Sequence, residues 1–183
     1  MEYLDIIDKC TGKKTGESKP RKQVHSEGDW HKGFHVWIIN SKNELLLQRR
    51  SANKDIYPNK LYVSVAGHPV SNEDTIIAIQ REFNEEIGFE IDFNELEYLF
   101  TFSQEVTEND GKFIDNMFYD VYLLEKDIDL STLQLQKDEV KEVEYIDYKV
   151  LESMVKSKHK DIVNHPEEWE KLFIILHGRL DNK

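Results

Sequence analysis

The chain reads as an α/β protein in which a mixed β-sheet is sandwiched between α-helices, and three observations point there. Short apolar or alternating blocks bounded by turn residues recur at 34–39, 44–48, 61–66, 96–104, 116–124 and 142–146, the pattern of strands. One segment of helical period interrupts them, with Ile76, Ile79, Phe83 and Ile87 spaced at three, four and four. From residue 147 onward the period is helical again.

Taken in order, residues 2–8 suggest a short strand, and 10–23 read as a polar surface loop holding much of the basic charge. Blocks 34–39 and 44–48 form a hairpin through a turn at 41–43. A loop over 51–60, closed by Tyr57-Pro58-Asn59, returns the chain to a strand at 61–66 that feeds Gly67. Ser71 or Asn72 reads as the N-cap of the following helix and Gly88 as its stop. Strands 96–104 and 116–124 are joined by the acidic turn EVTENDGK, and 142–146 adds a last short strand. Helices follow over 148–156 and 166–180; the second starts at Pro166 and stacks Trp169, Leu172, Phe173 and Leu176 on one side.

A length of 183 residues suits a single domain, 1–183, with 1–30 as an N-terminal strand and loop extension and 147–183 as C-terminal helices. A hydrophobic content of 39% against 33% charged residues is a globular balance. The net charge of −12 argues against a duplex nucleic-acid surface, which needs clustered Lys and Arg. One cysteine, Cys10, permits no internal disulfide and no cysteine-based zinc site. No basic-then-apolar leader and no run of 18 apolar residues is present, so neither secretion nor a membrane is expected, and the cytoplasm is left.

The informative stretch is GHPVSNEDTIIAIQREFNEEIGF, residues 67–89. At about 100° per residue, Glu82 and Glu86 lie one turn apart with Glu85 beside them, away from the apolar stripe. Like charges so spaced repel by a few tenths of a kcal/mol per pair, roughly. A divalent cation reverses that sign, because Mg²⁺ takes one or two carboxylates together with substrate phosphates.

Gly67, Glu73, Arg81, Glu82, Glu85, Glu86 and Gly88 stand in register with the Nudix box, G-x5-E-x7-R-E-U-x-E-E-x-G-U; at average residue usage such a match arises by chance at about 10⁻⁸ to 10⁻⁹ per start position. Both U positions are Phe (Phe83 and Phe89), a departure expected to alter packing behind the helix and not its acidic face. The resemblance implies the Nudix fold and a pyrophosphohydrolase that splits the diphosphate linkage of a nucleoside diphosphate derivative or related small diphosphate, using Mg²⁺ or alternatively Mn²⁺. It also implies the roles: Glu82, Glu85 and Glu86 as metal carboxylates, the Gly67 carbonyl as a further ligand, and Arg81, partnered by Glu73, orienting them. Family members often draw a base or final ligand from outside the box. The candidates here are Asp115 and Glu105, then Glu108, Asp110 and Asp120, with Glu85 itself as another. Relatives are often dimers, so a homodimer is expected on resemblance alone.

The flanks VHSEGDWHKGFHVWIIN, LLLQRRSANKDIYPN and SVAGHP resemble type I isopentenyl diphosphate isomerases and the Nudix hydrolases most like them. That resemblance sets Arg50 and Lys54 against the substrate diphosphate. It sets His68, with His25 and His31 near the two upstream positions, at the isomerase metal site, although a lone histidine near a strand is more often a hydrogen-bonded core residue than a ligand; His35, on an apolar strand, reads as structural. Where the isomerases carry a catalytic cysteine this chain has Ala66, and one of two downstream glutamates would fall on Asp115 and the other on Met117, which cannot bind a hard metal. Alanine has no proton to give, so hydrolysis is expected over isomerisation or over a non-catalytic diphosphate sensor.

Overall fold

The computed structural model describes residues 2–181. The sheet at its centre is mixed. Strand β3 (His31–Ile39) runs parallel to β8 (Phe113–Glu125) in the register His31↔Met117 through Ile39↔Glu125. The order is β5-β4-β3-β8-β7, where β4 is Glu44–Arg50, β5 Leu61–Tyr62 and β7 Leu96–Glu108; β6 (Val65–Gly67) pairs with β3, and β9 (Val140–Asp147) with β4.

Side-chain alternation divides the core. Odd positions Trp37, Ile39, Leu45, Leu47, Val121 and Leu123 pack against helices α3 (Tyr148–Lys156) and α4 (Pro166–Leu180), through Leu151, Trp169, Leu172, Phe173 and Leu176. Even positions Phe34, Val36, Ile38, Leu46 and Leu124 pack against α2 (Thr75–Glu82) and the turn after it, through Ala78, Ile79, Phe83 and Ile87. Helices therefore cover both faces, as expected. Among the described residues no helix is long and apolar enough to cross a membrane.

Four local expectations need correction. Residues 10–23 are not all loop: Lys14–Pro20 is strand β2, antiparallel to β1 (Tyr3–Ile7), and Arg21–Glu27 is helix α1. Long-range pairing with β1 overrides a composition of weak strand formers, and Val24 pins α1 to Leu4 and Ile6. The strand at 61–66 is two short pieces, because Ser64 turns its hydroxyl inward to accept from the Ile38 N–H and donate to the Leu46 carbonyl. Helix α2 begins later than Ser71 or Asn72. Its cap is Asp74, which accepts from the Ile76 N–H at 2.9 Å, while Asn72 sits at φ 65° and Ser71 bonds Asp5. Finally, α2 does not stay α-helical to Gly88: Phe83–Ile87 is a π-helical turn, closed by Gly88 at φ 64°.

That π turn buries Phe83 and Ile87 against the sheet while Glu82, Glu85 and Glu86 all line the cleft on its other side. Phe83 is fully buried, with Phe89 half-buried 6.5 Å from it, so the unusual aromatic pair sits behind the acidic face. Truncating Phe83→Ala should cost about 3–5 kcal/mol of stability in urea unfolding; a loss under 1 kcal/mol would show that the turn is not packed as described.

Candidate active site

A cleft of about 1180 Å³ opens between α1, the 51–60 loop, the Gly67–His68 corner and α2. Gly67 is there for lack of a side chain: a Cβ would lie 2.6–2.7 Å from the Glu82 side chain. The carboxylate of Glu82 thus occupies space that only glycine leaves.

Arg81 organises the wall. Its guanidinium donates to Glu73 from Nε (3.1 Å) and Nη2 (3.0 Å), to the His68 carbonyl (3.1 Å), and from Nη1 to Glu82 (2.7 Å) and Glu85 (3.3 Å). Glu73 also accepts from the Val70 N–H; burial alone would raise its pKa, but the Arg81 bonds and this N–H hold it below the usual range. Burial pushes Glu82 up, against the pull of Arg81. Glu86 is 5% exposed and accepts from Gln48 Nε2 at 3.2 Å and the Ala66 N–H at 3.5 Å. Burial, followed by the charge of Glu82, pushes Glu86 up to about 8. Glu85 stands at the exposed edge of the cleft.

Arg50 and Lys54 line the same cleft. Arg50 lies over the Tyr62 ring at 4.9 Å and donates to the Ile56 carbonyl, and Lys54 pairs with Glu139. Glu139 was not foreseen. It precedes β9, where a run of alternating charge carries no signal, yet backbone bonds from Gln134 and Gln136 to Ile87 and Glu86 clamp that segment to the π turn.

Asp115 is buried at the cleft, whereas Glu105 is exposed and paired with Lys9. The β7–β8 register explains the split: Glu105 pairs with Asn116 and so shares its face, opposite to that of Asp115. Asp120 bonds Lys32 and Thr101, and Asp110 is an exposed turn residue; neither reaches the cleft.

Around Asp115 the histidines converge. The Nδ1 atoms of His25 and His31 face the carbonyls of Arg21 (2.8 Å) and Asp29 (3.0 Å), which can only accept, so Nδ1 carries the hydrogen in both rings. Their Nε2 atoms then point at Asp115 Oδ1, at 3.3 and 3.6 Å, with no hydrogen to offer while the rings are neutral. The Nε2 atoms of His31 and His68 and Asp115 Oδ1 are buried without a hydrogen-bond partner. Burial lowers His31 to about 4 and His68 well below its ordinary value, which keeps both neutral. Burial would raise Asp115, but the imidazoles of His25 and His31 facing it and the Tyr119 hydroxyl that donates to Oδ2 hold it below the usual range. One ligand atom from each of the four comes within 4.8 Å of the others. Three imidazoles, two of them with Nδ1 fixed by a carbonyl, and one carboxylate are the donor set of a zinc or transition-metal site, and the residues fit such an ion. Among the described residues only one other group meets the same spacing, His35, His165 and Glu168; the box glutamates stand further apart around the cleft.

A model of the NUDIX domain matches residues 29–166. The chain belongs to the Nudix family. Over 97% of its length it is 40% identical to Nudix hydrolase 3 of Arabidopsis thaliana, of which it spans 24%. It is 36% identical to a Nudix hydrolase of Clostridium acetobutylicum over 76% of this chain and 66% of that one, and 32% identical to one of Listeria monocytogenes over 84% and 85%. An isopentenyl-diphosphate Delta-isomerase of Serratia proteamaculans is 32% identical over 67% of this chain and 65% of its own. The crystal structure of a Deinococcus radiodurans protein shares the Nudix fold, with a TM-score of 0.67 at 24% identity over 85% of this chain and 90% of that one.

The raised pKa of Glu86 has a consequence for stability. Its folded value exceeds the ordinary 4.5, so its contribution is full below pH 4.5, falls as pH rises to about 8 and is flat above. In metal-free protein, Glu86→Gln should escape that loss, and the stability difference between variant and wild type should grow between pH 4.5 and 8 by something on the order of 4 kcal/mol. A difference independent of pH would contradict the burial of an ionisable Glu86.

Proposed function

We propose that this Nudix chain, acting as a single domain over 1–183, is a Mg²⁺-dependent hydrolase of the diphosphate linkage in a nucleoside diphosphate derivative or a related small diphosphate, with Mn²⁺ able to substitute. The observation that carries the reading is the pairing, in one cleft, of the box glutamates with Arg50 and Lys54. In a chain of net charge −12, cations beside clustered carboxylates suit an anionic phosphate brought in with a divalent ion.

When bound, such an ion cancels phosphate charge and acidifies a water. The chain's own residues do the rest. Glu82, Glu85 and Glu86, with the Gly67 carbonyl, would hold such an ion. Arg81 and Glu73 hold Glu82 and the His68 carbonyl in place. Arg50 and Lys54 take the far phosphate; engaging it draws Lys54 from Glu139 and frees that carboxylate as a base, alongside Asp115 and Glu85.

A second reading, isomerase chemistry, is favoured by the His25, His31, His68 and Asp115 cluster and by the relatives of that name. Ala66, which lines the cleft and offers only its backbone N–H to Glu86, weighs against it, as does Met117 beside His31 in the sheet. Incubated with Mg²⁺ and a panel of nucleoside diphosphate derivatives and small diphosphates, the protein should release phosphate or a monophosphate. Glu86→Gln should lower kcat at least about a hundredfold while folding normally; undiminished turnover by this variant would sink the reading. Isopentenyl diphosphate in deuterated water, followed by NMR, should show no exchange at carbon.

A further inference from the structure

Between the sheet and the start of α4 lies a second set of buried polar groups, to which the hydrolytic reading gives no task. His165 caps α4 just ahead of Pro166, and Glu168 follows three residues on; they are 2% and 0% exposed. Both meet His35, fully buried on the same face of β3 as Trp37. One donor atom from each of His35, His165 and Glu168 comes within 4.8 Å of the others.

Hydrogen bonds satisfy two of the three. Glu168 accepts from Trp37 Nε1 at 2.9 Å and from His35 Nδ1, which lies 2.9 Å from either carboxylate oxygen. On its other side, His35 Nε2 meets the Tyr62 hydroxyl at 2.7 Å. His165 is the exception. Its Nδ1 faces Gln104 Oε1, which only accepts, and burial lowers its pKa to about 4, so the neutral ring holds its hydrogen on Nδ1 and presents a bare lone pair at Nε2. That nitrogen is buried with no hydrogen-bond partner. Around it the rings of Tyr62, Tyr119 and Phe102 stand 5.5, 5.9 and 6.2 Å from that of His165 and offer it their aromatic faces and edges. Leaving a buried acceptor unmade is costly, and the carboxylate and imidazole beside it are the company a metal ion would give it.

We propose that His35, His165 and Glu168 form a binding site for a divalent transition-metal ion, zinc foremost, that fastens the start of α4 to β3. Two imidazoles and a carboxylate suit zinc, and with both oxygens of Glu168 they supply four donor atoms. The groups behind them suit it as well. A metal on His165 Nε2 leaves Nδ1–H with Gln104. One on His35 Nδ1 takes the place of the hydrogen there and leaves Nε2 to donate to the Tyr62 oxygen, while Trp37 keeps its bond to Glu168. Each ligand thus has its outer partner already in place, the arrangement that orients metal-binding side chains. Because all three residues are buried, the ion enters as the chain folds. None of the three lines the cleft, so the site depends neither on the hydrolytic reading nor on the cluster around Asp115.

The test refolds full-length protein from urea with Zn²⁺, desalts it and counts the retained zinc by elemental analysis, with circular dichroism to confirm folding. His31→Ala removes a member of the other histidine cluster, so that the count belongs to this site; Asp115→Asn serves the same purpose should the first variant fail to fold. In that background about one zinc per chain should remain. Adding His165→Asn should lower the count about tenfold or more, and so should Glu168→Gln. Equal counts with and without His165→Asn, whether at one zinc or at none, would overturn the site. If neither added variant folds, diffraction at the zinc edge from crystals of the zinc-refolded wild type decides: an anomalous peak among the three side chains supports the site, and its absence overturns it.

Discussion

A single guanidinium joins the two halves of the cleft. Arg81 meets Glu73, Glu82 and Glu85 on the acidic side and the His68 carbonyl on the other, so the helix with the glutamates and the corner with the histidine are held by one group. Its bonds are charge-assisted and two of them form a fork on Glu73, which fixes direction as well as distance. Without this cation the partly buried Glu82 would face buried Glu86 with no charge paired to it. Gly67 and Arg81 thus act together, the first leaving room for the Glu82 carboxylate and the second holding it there.

The cleft assembles two kinds of cation-binding potential with different chemistry. Spread carboxylates, one of them exposed, leave room for water and phosphate, as a magnesium ion prefers. The histidine cluster is enclosed, the Nε2 atoms of His31 and His68 and Asp115 Oδ1 lack hydrogen-bond partners, and the Nδ1 atoms of His25 and His31 are anchored, which suits a softer and more tightly held ion. The division of the sheet into faces keeps them apart: odd positions of β3 and β8 carry His31 and Asp115, and even positions back the glutamate helix.

What could be read from the sequence follows this physics. The box residues were legible because spacing on a helix maps onto position, and the strands because alternation maps onto burial. The π turn was not legible: Phe83, Asn84 and Glu85 fit an α-helix as well, and only packing against β3 selects the wider turn. Asp115 was separable from Glu105 only by the register of a hairpin whose two strands run thirteen residues each and which composition placed shorter on both arms. Glu139 and α1 were missed because tertiary contacts made them, and nothing in the spacing of the last helix marks Glu168 as the buried partner of His35. The histidines showed through resemblance alone; their convergence depends on α1, which looked like loop.

Anomalous diffraction from crystals soaked in Mn²⁺ with a non-hydrolysable diphosphate is the most direct measurement of the central claim. The account predicts one peak among His25, His31, His68 and Asp115, and a second between the box glutamates and the diphosphate oxygens. A cleft that takes up the diphosphate with no peak beside Glu82 or Glu86 would contradict it.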